Sequence, residues 1–154
     1  MAETPEQLPC VLIPVQDQTL LLPNVSIAEI VDYADLQPDS SKRDWLLGWF
    51  QWRGLSLPVL SWEAANGRSP VLPDGQRGRV LVLNTITEAH RQSPFMALAT
   101  QGIPRQAKIT PAELVQKDEG EGEAELMTLT YEGETVCIPD LSRLEALVTQ
   151  ATQD

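Results

Sequence analysis

The chain carries one histidine, His90, and two cysteines, Cys10 and Cys137. An imidazole and two thiolates could begin a zinc site or a thiol–imidazole nucleophile. The spacing argues against both, because the three residues lie far apart in sequence, with no short ligand interval between any two. His90 sits in the polar stretch TEAHRQSP, where a histidine without partners is a poor base or ligand. Both cysteines fall on apolar runs that read as strands, where a free thiol packs as a small hydrophobe. Carboxylates are plentiful, but five of them crowd into KDEGEGEAE, residues 117–125. Like charges interleaved with glycines read as a solvated loop rather than a site that tunes a catalytic acid. GRSPVLPDGQRG has glycines but neither the Lys-Ser/Thr ending of a phosphate loop nor dinucleotide-binding spacing. No Gly-x-Ser-x-Gly elbow occurs. These residues point to no enzyme, no metal and no cofactor.

A second constellation suits binding. DWLLGWFQWRGLSLPVLSWE holds all four tryptophans, Trp45, Trp49, Trp52 and Trp62, around Arg53. On a strand, Trp49, Gln51 and Arg53 share one face, and Gly48, Phe50 and Trp52 the other. That places Phe50 and Trp52 in a core and leaves Trp49 beside Arg53 outside. Such neighbours can stack as a cation–π pair worth about 0.5–1 kcal/mol when exposed. Tryptophan and arginine are also enriched at the hot spots of protein interfaces. The alternative is that every tryptophan is core and Arg53 is a solvated cation.

The elements that must position these residues are short. Apolar bursts of five to nine residues alternate with turn residues, in a chain of 154 that fits one domain or two small lobes. CVLIPV and TLLLP read as strands around QDQT. VSIAEIVDY is ambiguous: Val25, Ile27, Glu29 and Val31 share a strand face, yet Asn24 could cap a helical turn. LLGWFQWRGLSLPVLSW reads as two strands meeting near Gly54, with Pro58 suggesting an edge or a bulge. NGRSPVLPDGQRG is the clearest linker. RVLVLNTI and FMALATQGI follow as strands. TPAEL carries a capping box, Thr110 and Glu113, with Pro111 at the first helical position. LMTLTYEGETVCIP reads as a hairpin around Glu132-Gly133, and DLSRLEALV as a helix capped by Asp140. About eight to ten short strands and two short helices suggest small barrels or a sandwich.

Composition narrows the class further. Apolar residues make up 42% and charged residues 21%, ordinary for a globular protein. The net charge of −11 argues against nucleic acid, whose phosphates require lysine and arginine. The start MAETPEQLPC has no basic n-region or long apolar core, and no run approaches a membrane span. A cytoplasmic protein with reduced cysteines is the expectation.

LLGWFQWRGLSLPVLSW resembles the signature of the CheW family of chemosensory coupling proteins, a Gly, then Asn-Leu-Arg-Gly, then Pro-Val-x-Asp-Leu. Gly48, Arg53, Gly54, Pro58 and Val59 match it. LLLPNVSIAEIVDY is similar to the first family stretch through Ile27, Glu29 and Ile30, and ALATQGI parallels the second-half motif, with Gln101 at its Asp position. ITPAEL and VCIPDLSRL continue the order, so the likeness covers about residues 10 to 148. Gln51-Trp52 stands for Asn-Leu and Ser61 for the Asp after Pro-Val. The resemblance implies an all-β fold with short helices, two packed SH3-like five-stranded β-barrels. The first would span about residues 10–66, the linker 67–78, the second barrel 79–139 and a C-terminal helix 140–149. It implies a non-catalytic adaptor that couples the cytoplasmic tips of chemoreceptors to the regulatory domain of a histidine kinase, without direct membrane insertion. The departures fit an auxiliary system such as pilus-based motility. By carry-over Ile27, Glu29 and Arg53 engage receptor or kinase, and Gln101 and Ile103 line the groove for the receptor hairpin; Trp49 joins them on its surface position. The rival readings are a generic SH3-like binder of extended peptides and a small enzyme.

Overall fold

Strands buried on both faces dictate this architecture. Along β1 (Leu8–Val15), Cys10 and Leu12 enter one core while Val11 and Ile13 enter another. β2 (Gln18–Pro23) repeats the pattern, with Leu21 in the first and Leu20 and Leu22 in the second. A period of two with apolar residues at every position requires protein on both sides of the sheet. The computed structural model describes residues 7–34, 36–87, 91, 93–119 and 122–153.

Among the described residues eleven strands form two sheets. The remaining strands are β3 (Ile27–Asp32), β4 (Leu46–Trp52), β5 (Leu55–Ser61), β6 (Arg79–Asn84), β7 (Phe95–Thr100), β8 (Arg105–Ile109), β9 (Leu114–Glu119), β10 (Glu125–Tyr131) and β11 (Glu134–Pro139). The six-stranded sheet runs β8-β1-β2-β11-β10-β9 and the five-stranded sheet β3-β6-β7-β5-β4. All ladders are antiparallel except β2 with β11 and β5 with β7. In neither sheet are the two edge strands joined by a ladder among the described residues. The fold is mostly β with short helices, as expected.

Three cores follow. Cys10, Leu12, Leu21, Leu129 and Val136 fill the far side of the six-stranded sheet. Trp52, Leu57, Val59, Val80, Val82, Ala97 and Ala99 fill that of the five-stranded sheet. Between the sheets lie Val11, Ile13, Leu20, Leu60, Trp62, Leu81, Leu83, Met96 and Leu98. Helix α2 (Leu141–Gln153) adds Leu144, Leu147 and Val148 to this shared core, and Asp140 caps it through Arg143 N–H at 3.2 Å.

Several expectations need correction. The sheets do not divide at the linker: β1 and β2 belong with β8–β11, while β6 and β7 belong with β3–β5. Strands buried on both faces bind whichever ladder completes their hydrogen bonds, irrespective of chain order. β3 is a strand preceded by one 3-10 turn, Asn24–Ser26; the turn exists, but Asn24 is its first residue and no side chain caps it. Its residues do not share one face, because a bulge between Ile27 and Glu29 turns Ile27 to the shared core and Val31 to the five-stranded sheet's own core. Pro58 lies on an internal strand. The parallel ladder with β7 begins only at Val59, so its missing N–H breaks no bond there. The Thr110–Glu113 capping box is present, but it opens a single 3-10 turn, Pro111–Glu113, that runs straight into β9. The acidic run is no free loop at its C-terminal end. Ala124 is buried in the shared core, and its N–H donates to Asn66 Oδ1 at 3.0 Å.

Candidate functional site

The β4–β5 hairpin closes on two residues in left-handed conformation, Arg53 at φ 47° and Gly54 at φ 80°. Paired positive φ values match a turn to the right-handed twist of its strands. Glycine adopts such angles freely; for arginine they cost about 1–2 kcal/mol. Strand alternation therefore stops at Trp52. The expected stack of Arg53 on Trp49 is replaced by one on Trp52, with the guanidinium carbon 4.8 Å from the ring centroid. Trp52 is buried as expected and meets Phe95 edge-on at 4.9 Å. Its Nε1 has no hydrogen-bond partner among the described residues. Phe50 is half-buried against the same core.

Arg53 reaches across the five-stranded sheet. Its guanidinium donates to Glu29 Oε1 at 2.6 Å, from the turn at one edge strand to β3 at the other. A second tie follows nearby in the chain: Gln37 and Trp49 exchange backbone hydrogen bonds of 2.9 Å, laying the segment after β3 along β4. The Arg53 side chain is 70% exposed and that of Glu29 35% exposed. An exposed pair of this kind contributes about 0–1 kcal/mol to stability. Both charges lie at the surface.

The other expected site residues occupy different settings. Ile27 packs partly into the shared core. Trp49 is half-buried, and its indole N–H donates to Asp39 Oδ1 at 3.0 Å. Hydrogen bonds from the side chains of Ser41 and then Trp49 hold the Asp39 carboxyl below its usual range. Gln101 Nε2 donates to the Val71 carbonyl at 3.1 Å, and the Gln101 N–H to the Pro14 carbonyl at 2.9 Å. It thus tethers the linker to the β1 end. Ile103 is 56% exposed. Ile27, Glu29 and Arg53 are brought to one sheet, whereas Gln101 and Ile103 follow β7 where the chain crosses toward β8.

Among the described residues no catalytic constellation is assembled. Among the described residues no three histidines, cysteines or carboxylates gather as metal ligands, and His90 lies outside those residues. Cys10 and Cys137 are buried free thiols. Burial, with Glu125 nearby, pushes the Cys137 thiol up to about 12, so it is no nucleophile at neutral pH. A cleft of about 290 Å³ beside Leu55, Pro58, Ser93, Phe95 and Thr152 has no titratable side chain in its wall. Among the described residues two carboxylates are buried, which the sequence did not reveal. Glu63 accepts the Gln16 N–H at 2.9 Å. Glu145 accepts from Ile86 N–H, Thr87 N–H and Thr87 Oγ1 at 2.9, 3.0 and 2.6 Å. Both are held by nearby backbone N–H and hydroxyl groups rather than paired with each other.

Residues 9–147 match the family model described as CheW-like domain. No curated protein sequence matches. Among solved structures, the scaffolding protein TtCheW from Thermoanaerobacter tengcongensis is similar, with a TM-score of 0.69 at 12% identity over 90% of this chain and 88% of that one. At that identity the likeness speaks for the fold. Among the described residues no helix is long and apolar enough to cross a membrane.

Proposed function

The chain belongs to the CheW-like domain family, and from that premise we propose that it is the adaptor joining chemoreceptor tips to a histidine kinase in the cytoplasm. Family membership makes it a non-catalytic scaffold of chemosensory signalling. The receptor, the kinase and an auxiliary system such as pilus-based motility are the finer parts of our reading. So are two rolled SH3-like barrels. The Arg53–Glu29 pair, which joins the two edges of the five-stranded sheet, and the Gln37–Trp49 bridge, which ties the segment after β3 to β4, support that curvature.

The observation that carries the partner reading is the exposed Arg53–Glu29 pair. An arginine held at positive φ on a two-residue turn is fixed in position at a cost in backbone energy. A solvated lysine or asparagine would serve the fold as well. In this reading Ile27, Glu29, Arg53 and Ile103 touch receptor or kinase, while Trp49 and Gln101 set the segments around them. The test is Arg53→Glu, measured by titration calorimetry against a receptor hairpin and a kinase regulatory domain. Circular dichroism should be unchanged, because an exposed charge alters stability by about 0.5 kcal/mol. Binding to at least one partner should be lost, since reversing an interface charge costs several kcal/mol. The swap Arg53→Glu with Glu29→Arg restores the internal pair but should not restore binding. Wild-type affinity of Arg53→Glu for both partners would overturn the reading.

A further inference from the structure

The chain has one Asn-Gly pair, Asn66-Gly67. This dipeptide is chemically fragile, because glycine puts no side chain in the way of its own backbone nitrogen. That nitrogen can attack the asparagine side-chain carbonyl. An N–C bond to Cγ forms, the Cγ–NH2 bond breaks, the glycine proton is lost and ammonia leaves. Water then opens the cyclic imide at either carbonyl, giving aspartate or isoaspartate.

In the folded protein Asn66 is buried at the end of α1 (Trp62–Ala65), and every part of it is occupied. Its Nδ2 donates to Glu125 Oε2 at 2.7 Å, and its Oδ1 accepts the Ala124 N–H at 3.0 Å. The Gly122 backbone lies so close over the amide that a β-carbon there would collide with it. The Gly67 nitrogen is engaged as well, donating to the Ala64 carbonyl at 3.1 Å. Neither the attacking nitrogen nor the amide under attack is free to rotate into place. These bonds also join α1, which follows the five-stranded sheet, to the start of β10 in the six-stranded sheet. Asn66 is a clasp between the sheets.

We propose that Asn66 is a deamidation site gated by the fold, inert in the clasp and labile once the chain opens. The product cannot rebuild the clasp. Aspartate would set a carboxylate oxygen against Glu125, with no donor between two like charges. Isoaspartate would add a backbone methylene beneath a glycine that already touches the amide. Each opening long enough for the reaction would thus leave a chain with a weaker joint between its sheets.

The experiment uses the full chain, incubated at pH 8 and 37 °C either native or in urea, with the 66–67 peptide followed by mass spectrometry for the gain of one dalton. The native sample should deamidate at least about tenfold more slowly, since local opening limits access. Native chains reacting at the rate in urea would overturn the gate. The second measurement is the melting temperature of Asn66→Asp, expected to fall below that of wild type. An unchanged melting temperature would overturn the clasp. Should Asn66→Asp fail to fold at all, Asn66→Ser, which keeps a donor without the charge, is expected to melt between the two, and equality with wild type would refute the role of the amide.

Discussion

Two tryptophans in this chain differ in one respect that can be measured. Trp62 is fully buried and its indole N–H donates to Gln18 Oε1 at 2.9 Å. Trp52 is almost as buried, yet its Nε1 has no partner among the described residues. Trp→Phe removes the same atoms at both sites, so the transfer and cavity terms largely cancel in the comparison. At position 62 the change also removes a hydrogen bond worth about 0.5–1.5 kcal/mol and leaves a half-buried amide oxygen unpaired. At position 52 it removes an orphan donor whose burial costs about 1–3 kcal/mol. A phenylalanine there still offers a ring to Arg53, so the cation–π loss stays below about 0.5 kcal/mol. Trp62→Phe should therefore be more destabilising than Trp52→Phe by about 2 kcal/mol. Urea titrations followed by far-ultraviolet circular dichroism measure both, provided their slopes agree. If Trp52→Phe loses as much as Trp62→Phe, the indole of Trp52 is not orphaned and the account of this core is wrong.

Three further outcomes are expected. Gly54→Val should cost about 1–2 kcal/mol, because φ at 80° is strained for any side chain although the space is open; an unchanged urea midpoint would rule this out. Replacing residues 122–125 by a Gly-Ser linker should lower the melting temperature by roughly 5–10 °C, through loss of the buried Ala124 methyl and the Asn66 bonds; a shift within error would show that the segment does not pack. The Cys137 thiol is raised from 9.0 to about 12, so the folded chain holds a proton that the unfolded chain releases. Its contribution is complete below about pH 9 and is lost as pH climbs toward 12. Wild type should lose stability faster than Cys137→Ala above pH 9, and parallel pH profiles would contradict the burial.

The strands that carry the cores were legible because they are short apolar runs of five to eight residues separated by polar or turn residues. β1, β2, β4–β7, β10 and β11 all fall on stretches read as strands. β8, RQAKI, and β9, LVQKDE, were not read. They are edge strands, and Arg105, Gln106, Lys108, Gln116 and Lys117 on them face water, so no apolar period marks them. Helix α1 escaped because one turn between a strand and an Asn-Gly has no period to show. In the site, Phe50 and Trp52 were placed inward correctly, but the tight turn at Arg53-Gly54 moved Arg53 from the ring of Trp49 to that of Trp52. Sequence alternation cannot see a turn that inverts φ. The Glu29 partner is 24 residues away, a tertiary fact with no local signal.

The interleaved sheets bear on how the chain is made. Strands β3–β7 come from one continuous stretch, so the five-stranded sheet can assemble as soon as residue 100 has left the ribosome. The β1–β2 hairpin is synthesised first but cannot finish early: Leu8 pairs with Ile109 and Leu20 with Cys137. At about 5–20 residues per second it waits roughly 5–25 s with two apolar faces uncovered. Nascent chains in this interval are the state in which a holding chaperone would find most to grip, and a stalled ribosome between residues 30 and 90 would display an aggregation-prone hairpin rather than a half-built domain.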